Sequence, residues 1–118
     1  MANEQNVLGK PLKLCCHNGG YTREGFCHVP ASDYGSHSVC AVMTDAFLHF
    51  SLSRGNDLIS ARPEYSFPGL KAGDKWCLCA ARWLEAERAG VAPPVILEAC
   101  NKACLNVVDI EMLRQYAV

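Results

Sequence analysis

Apolar residues in this chain gather into three short runs and several helical stripes, separated by polar stretches that carry glycine and proline. The runs are 38–43 (Ser-Val-Cys-Ala-Val-Met), 76–81 (Trp-Cys-Leu-Cys-Ala-Ala) and 95–99 (Val-Ile-Leu-Glu-Ala). Each is short and largely apolar on both faces of the pleat, which predicts strands covered on both sides. In the middle run Trp76, Leu78 and Ala80 point one way and Cys77, Cys79 and Ala81 the other, because strand side chains alternate. Helical spacing follows the first run. Thr44 is a good N-cap, Asp45 favours the positive helix end, and Gly55 is a natural C-terminal stop, so a helix is predicted over 45–54. Phe47, Leu48, Phe50 and Leu52 share its inner face and His49 points away. A second helix is predicted over 82–89, with Arg82, Glu85 and Arg88 wet, Trp83 and Ala86 inward, and Gly90 at its end. Asn101 caps a short helix reaching Val107. Asp109 caps a last one, in which Ile110, Leu113 and Ala117 share a face.

The N-terminal third reads differently. Residues 1–6 form a polar, frayed tail. Residues 7–14, with Gly9 and Pro11, make an extended edge segment. Asn18-Gly19-Gly20 supplies a turn after Cys15-Cys16-His17, and a second extended piece runs from Tyr21 to Pro30. The order is strand, helix, long loop, strand, helix, strand, helix, helix. It predicts an α+β fold: a two-layer sandwich with a small mixed sheet and three to four short helices, in a single domain spanning 1–118.

Composition narrows the function classes. With 118 residues, 50% of them apolar, the chain is long enough for one core. The net charge of −1 gives no electrostatic footprint for nucleic acid. No apolar run approaches the roughly 18 residues of a membrane span. The first residues have neither the basic nor the apolar part of a secretory signal, so a cytoplasmic location is expected. Eight cysteines is a high count. In a reducing compartment they are expected as free thiols, most of them acting as small core hydrophobes.

Candidate chemistry lies in four places. Residues 56–71 lack periodicity, and a loop that long is often functional. Its Asn56, Asp57, Arg62 and Glu64 are the polar groups available to line a cleft, with Arg62 able to fork onto an anion. His37, at the mouth of the first strand, suits acid–base work, with Cys40 the nearest thiol in sequence. Cys77-x-Cys79 would present two sulfurs on one strand face to a metal or an oxidant. Cys15, Cys16, His17, Cys27 and His28 cluster at one end of the chain, where a Cys15–Cys27 disulfide is conceivable. The spacing matches no zinc finger or ribbon, so no metal site is assigned. Cys100 and Cys104 suit a buried helix face. His49 reads as a solvated helix residue, and His17 and His28 as exposed loop residues.

Residues 35–44 (Gly-Ser-His-Ser-Val-Cys-Ala-Val-Met-Thr), 55–58 (Gly-Asn-Asp-Leu), 67–70 (Phe-Pro-Gly-Leu), the stretch from Gly73 to Trp83, and Ala92-Pro93-Pro94-Val95 together resemble one bacterial family, domain-of-unknown-function family 2237. The resemblance covers about Val7 to Ala117. It implies a small α-plus-β domain and no assigned activity. The chain departs from the family pattern in a shorter loop after Cys15, in Cys100-Asn101 where Thr-His is usual, and in Cys104. Those departures make Cys100 and Cys104 poor candidates for a family-wide role.

The reading that follows is a small-molecule pocket, enzymatic or not, formed by the 56–71 loop and His37, with His37, Asn56, Asp57, Arg62 and Cys77 as ligand-binding residues. Two alternatives stand beside it: a thiol-rich metal-binding or redox domain built on Cys15, Cys27, Cys40, Cys77 and Cys79, and an interaction module or homodimer with no active site. No cofactor, substrate or reaction is indicated.

Overall fold

A computed structural model describes residues 4–16 and 19–118. At its centre two strands pair antiparallel, β1 (Val39–Val42) and β2 (Lys75–Leu78), with Val39 opposite Leu78, Cys40 opposite Cys77, Ala41 opposite Trp76 and Val42 opposite Lys75. Val39, Cys40 and Ala41 are wholly buried, as are Cys77 and Leu78, while Lys75 reaches solvent. The predicted interior strand is therefore interior at its C-terminal half.

α1 (Asp45–Ser53) forms where its caps dictate. Thr44 Oγ1 accepts the Phe47 N–H at 3.1 Å. At the other end the Gly55 N–H reaches Leu52 O and the Asn56 N–H reaches Ser51 O, with Gly55 at φ +87°. This satisfies carbonyls that would otherwise be orphaned. Phe47 and Leu48 are buried as expected, but Leu52 is exposed and Ser51 takes the inner position, its hydroxyl donating to Asn56 O at 2.7 Å.

α2 (Ala80–Arg88) starts two residues before the predicted point, because Ala80 and Ala81 are better helix formers than strand residues. The strand accordingly ends at Leu78, and Cys79 becomes the N-cap. Arg82 Nη1 donates to Arg54 O at 3.1 Å and Arg54 Nε meets Glu85 at 3.0 Å, which tie α2 to the end of α1. α3 (Ile110–Gln115) is capped by Asp109, which accepts the Glu111 N–H, and it buries Leu113 but leaves Ala117 exposed.

The expected third strand at 95–99 does not form a ladder. Val95 makes single bridges to Ala41 and Ala117, and a 3₁₀ turn, Leu97–Ala99, follows at once. Pro93 and Pro94 contribute no N–H donors, so this segment cannot extend the sheet toward its start. The ladder is thus two-stranded and antiparallel rather than mixed, within an α+β fold. The helix expected after Asn101 is a 3₁₀ turn, Lys102–Asn106, capped by the Asn101 side chain.

Among the described residues before Val39 there is no helix or strand. This segment is nevertheless anchored, and the frayed tail expected at its start does not extend to Glu4–Asn6; Met1 to Asn3 lie outside the described residues. Asn6 is 1% exposed, accepts the N–H of Leu8 and Lys10 on Oδ1, and donates to Glu98 O at 3.0 Å. Glu4 pairs with the His28 imidazole, accepts the Val29 N–H at 3.0 Å and accepts Asn101 Nδ2 at 2.7 Å.

The Glu4 carboxylate gives a pH dependence. Partial burial alone would raise its pKa, but Val29, Asn101 and His28 outweigh that and hold it below its ordinary value. A depressed folded-state pKa contributes stability above the unfolded value, and that stability is lost as pH falls through the folded one. Glu4→Gln should therefore lower the urea midpoint near neutral pH and lose most of its effect in acid, once the wild-type carboxylate is protonated in the folded state as well. An equal deficit at both pH values would show that shape, not charge, holds this anchor.

Candidate functional site: a buried core of four cysteines

Cross-strand neighbours Cys40 and Cys77 face each other in the register of β1 and β2, and each is bonded to a cysteine of the N-terminal segment. Cys15 joins Cys40 with Cα atoms 5.8 Å apart, and Cys27 joins Cys77 at 5.4 Å. The Sγ atoms of Cys15, Cys27 and Cys77 lie within 4.8 Å of one another. With Cys40 bonded to Cys15, four buried sulfurs gather at the antiparallel strand pair.

The loop that delivers Cys15 and Cys27 is closed on itself. The N–H groups of Cys15 and Cys16 both reach Gly25 O, at 2.7 and 3.0 Å, and the Gly25 N–H reaches Gly19 O at 3.0 Å. Gly25 has φ +91°, and a Cβ there would sit 2.4 Å from Cys16 O, so only glycine closes this loop. Asn101 Nδ2 then fixes the Cys27 carbonyl at 2.9 Å.

This pairing corrects two expectations. The thiols of Cys15, Cys27, Cys40 and Cys77 are not free, and the conceivable Cys15–Cys27 bridge is replaced by two bridges to the strands. Connectivity is not encoded by spacing, and the strand partners became visible only with the register.

The remaining sulfurs differ in kind. Cys100 and Cys104 are buried, as expected of small core residues. Burial pushes the Cys100 thiol up to about 12, and burial with the neighbouring Cys100 does the same for Cys104, so both stay protonated. Cys100 Sγ accepts the Cys40 N–H at 3.3 Å and lies 3.6 Å from Cys40 O. Cys16 is half-buried, and burial raises its thiol against the opposing pull of the Gly19 and Cys77 N–H groups and of Lys75. Its sulfur therefore lies against the backbone of β2 at Cys77.

A cleft of about 690 Å³ opens over this core. It is lined by Cys15 and Cys16, by Arg23, Asp74, Lys75 and Trp76, and by Ser66, Pro68, Gly69 and Leu70 at the end of the long loop. The Arg23 guanidinium stands 5.6 Å from the Trp76 ring centre.

The five expected ligand residues do not meet there. Asp57 Oδ1 accepts the N–H of Ile59 and Ser60, and its other oxygen is 3.8 Å from Arg62, so Asp57 and Arg62 brace the loop locally, while the Asn56 backbone is tied to Ser51. Those contacts, Ser60 first, hold the Asp57 carboxyl below the usual range. His37 is held elsewhere, with its Nδ1 2.7 Å from Asp33 Oδ1 and its N–H donating to Asp33 Oδ2 at 2.8 Å. Cys77 is committed to its disulfide. His28 is tied to Glu4 rather than free in solvent, His49 is exposed as expected, and His17 lies outside the described residues. Asp33 was not singled out in the sequence; its position four residues before His37 was the available signal.

No curated protein matches the chain. The model of a family described as an uncharacterised protein conserved in bacteria, DUF2237, matches residues 5–117, and the chain belongs to that family.

Proposed function

We propose that the protein is a thiol–disulfide domain whose four-cysteine core takes up a thiophilic divalent cation, zinc by preference, when its two disulfides are reduced. The observation that carries this is the envelope of 4.8 Å around the sulfurs of Cys15, Cys27 and Cys77, with Cys40 bonded into it. Four thiolates around a tetrahedral zinc, each at about 2.3 Å, stand roughly 3.8 Å apart. The sulfurs of Cys15, Cys27 and Cys77 already lie near that scale, and Cys40 is one bond away from Cys15. The chemistry balances simply: each disulfide gains two electrons and two protons from a dithiol, which departs as its own disulfide. The cation then displaces four protons.

The cleft supports access, since it reaches Cys15 and Cys16 from solvent past Arg23 and Lys75. A small-molecule reading also finds its footing there, at the Ser66–Leu70 end of the loop rather than at Asn56, Asp57 and Arg62. An anionic thiol or dithiol would suit Arg23 and Lys75, two cations against the one carboxylate, Asp74, among the lining residues.

Reduction under native conditions followed by zinc should load about one metal per chain, with cobalt giving the intense sulfur-to-metal charge-transfer band of a four-thiolate site. Cys27→Ser should abolish the band, whereas Cys104→Ser should keep it. A reduced chain that exposes its thiols to titration yet takes up no metal would sink the proposal and leave the bridges as staples.

A further inference from the structure

Away from the four-sulfur core, three chemistry-bearing side chains converge around Gly35. The Asp33 side chain is 1% exposed, and its carboxylate accepts both the backbone N–H and Nδ1 of His37. This fixes the imidazole with its other nitrogen, Nε2, free of protein partners among the described residues and partly open to solvent. Across the glycine stands Cys79, a free, half-buried thiol at the N-cap of α2 that makes no capping bond. A Cβ built on Gly35 would lie 3.3 Å from His37 Cε1 and 3.7 Å from Cys79 Sγ. The imidazole Cε1 and the Cys79 sulfur therefore flank one small gap, no more than about 7 Å apart and not hydrogen-bonded to each other, so the catalytic contact is one that a bound substrate would have to tighten.

The backbone adds a fourth part. Within the first turn of α2, the Ala80 N–H is taken by Ser36 O at 3.0 Å, but those of Ala81 and Arg82 have no intrahelical acceptor. They belong to the turn that Cys79 opens, where the positive helix end favours negative charge developing on an oxygen. Cys79, Ala81 and Arg82 also line a cleft of about 490 Å³, together with Arg88.

We propose that Cys79, His37 and Asp33 form a nucleophilic site for acyl transfer, with small activated acyl compounds, thioesters or esters, as the substrate class. His37 Nε2 takes the Cys79 proton as sulfur bonds to the carbonyl carbon. The oxyanion is met by the Ala81 and Arg82 N–H groups. The bond to the leaving group then breaks, and that group departs with the proton held on His37, leaving an acyl-cysteine that water resolves to the acid. Cys79 and His37 are catalytic residues, and Asp33 is a positioning residue. Cys40, the thiol nearest His37 in sequence, is consumed by its bridge to Cys15, whereas Cys79 is free.

The probe is p-nitrophenyl acetate, added to the disulfide-intact protein. The expected result is a burst of p-nitrophenolate with acetyl mapped to the Cys79 peptide, at least ten-fold faster than on Cys16 or on free cysteine. His37→Gln should slow acylation about ten-fold or more, within the range for general base catalysis. Gly35→Ala, which places a methyl in the gap, should slow it with the fold intact by circular dichroism. For Asp33, the imidazole nitrogen spectrum should show the Nδ1-protonated tautomer, and Asp33→Asn should lose it while Cys79→Ser keeps it. Acylation of Cys79 no faster than that of free cysteine, or unchanged in His37→Gln, would overturn the proposal.

Discussion

Replacing Cys27 and Cys77 together by alanine should lower the unfolding free energy by about 4 kcal/mol, the value for a bridge closing a loop of that size. The two residues are 50 positions apart in sequence. The physical reason lies in the segment before Val39, which has no ladder or helix of its own among the described residues. Its place depends on two bridges, on the side chains of Asn6 and Asn101, and on backbone bonds such as Val7 N–H to Cys100 O, Lys13 N–H to Glu98 O and Lys102 N–H to Gln5 O. The bridges are also interlocked, since Cys27 falls inside the 25-residue separation of Cys15 and Cys40. Losing both should therefore cost less than twice the loss of one, because the first cut already frees much of the same chain. Urea unfolding of the two double variants and of the quadruple variant measures this. Amide exchange in residues 5–30 should accelerate before that in β1 and β2. A loss under about 1 kcal/mol would mean that the backbone bonds and those of Asn6 and Asn101 hold the segment without the bridge.

The same experiment separates stapling from switching. If the core binds zinc when reduced, wild-type protein treated with reductant should recover most of the lost stability on adding the metal, whereas the Cys27/Cys77 variant should not. Stabilisation of the folded state by a bound cation follows its concentration relative to the dissociation constant.

What the sequence disclosed was local. Thr44, Asn101 and Asp109 declared their caps because a side-chain oxygen two or three residues before an open N–H acts within one turn. The interior character of Cys40 and Cys77 followed from apolar runs. What stayed hidden was long-range. Which loop cysteine meets which strand cysteine depends on register and on the closure at Gly25, and neither leaves a periodic trace. The 95–99 run illustrates a second limit. Burial made it apolar, but the preceding prolines and its single bridges make it a packed connector rather than a strand. The polar loop at 56–71 was the natural place to seek a site, yet its Asp57 and Arg62 are spent on each other and on loop amides. The chemistry instead gathers where residues distant in sequence converge: Cys15, Cys27, Cys40 and Cys77 in one place, and Asp33, His37 and Cys79 in another.

Trp83→Ala should be the most damaging single substitution outside the bridges, at about 3–5 kcal/mol, the range for deleting a fully buried large aromatic. Trp83 is fully buried, its Nε1–H donates to Pro93 O at 3.1 Å, and its ring meets Tyr116 edge-on with centres 5.3 Å apart. It thus joins α2 to the two segments that meet at Val95, whose N–H reaches Tyr116 O at 2.8 Å and whose carbonyl accepts the Val118 N–H at 3.0 Å. Trp83→Phe divides the effect. It keeps most of the packing but removes the donor to Pro93, and should cost about 1–2 kcal/mol on that account. Thermal unfolding of the two variants tests the division, and the alanine variant carries a second reading. The chain has two tryptophans, so under excitation selective for tryptophan over its four tyrosines only Trp76, beside Arg23 at the cleft, would remain to fluoresce. If Trp83 braces only the C-terminal side, emission from Trp76 should stay native-like until global unfolding, while exchange near Val95 and Tyr116 rises. Emission that shifts in step with that exchange would show that the brace extends through β1 to the cleft and the sulfur core.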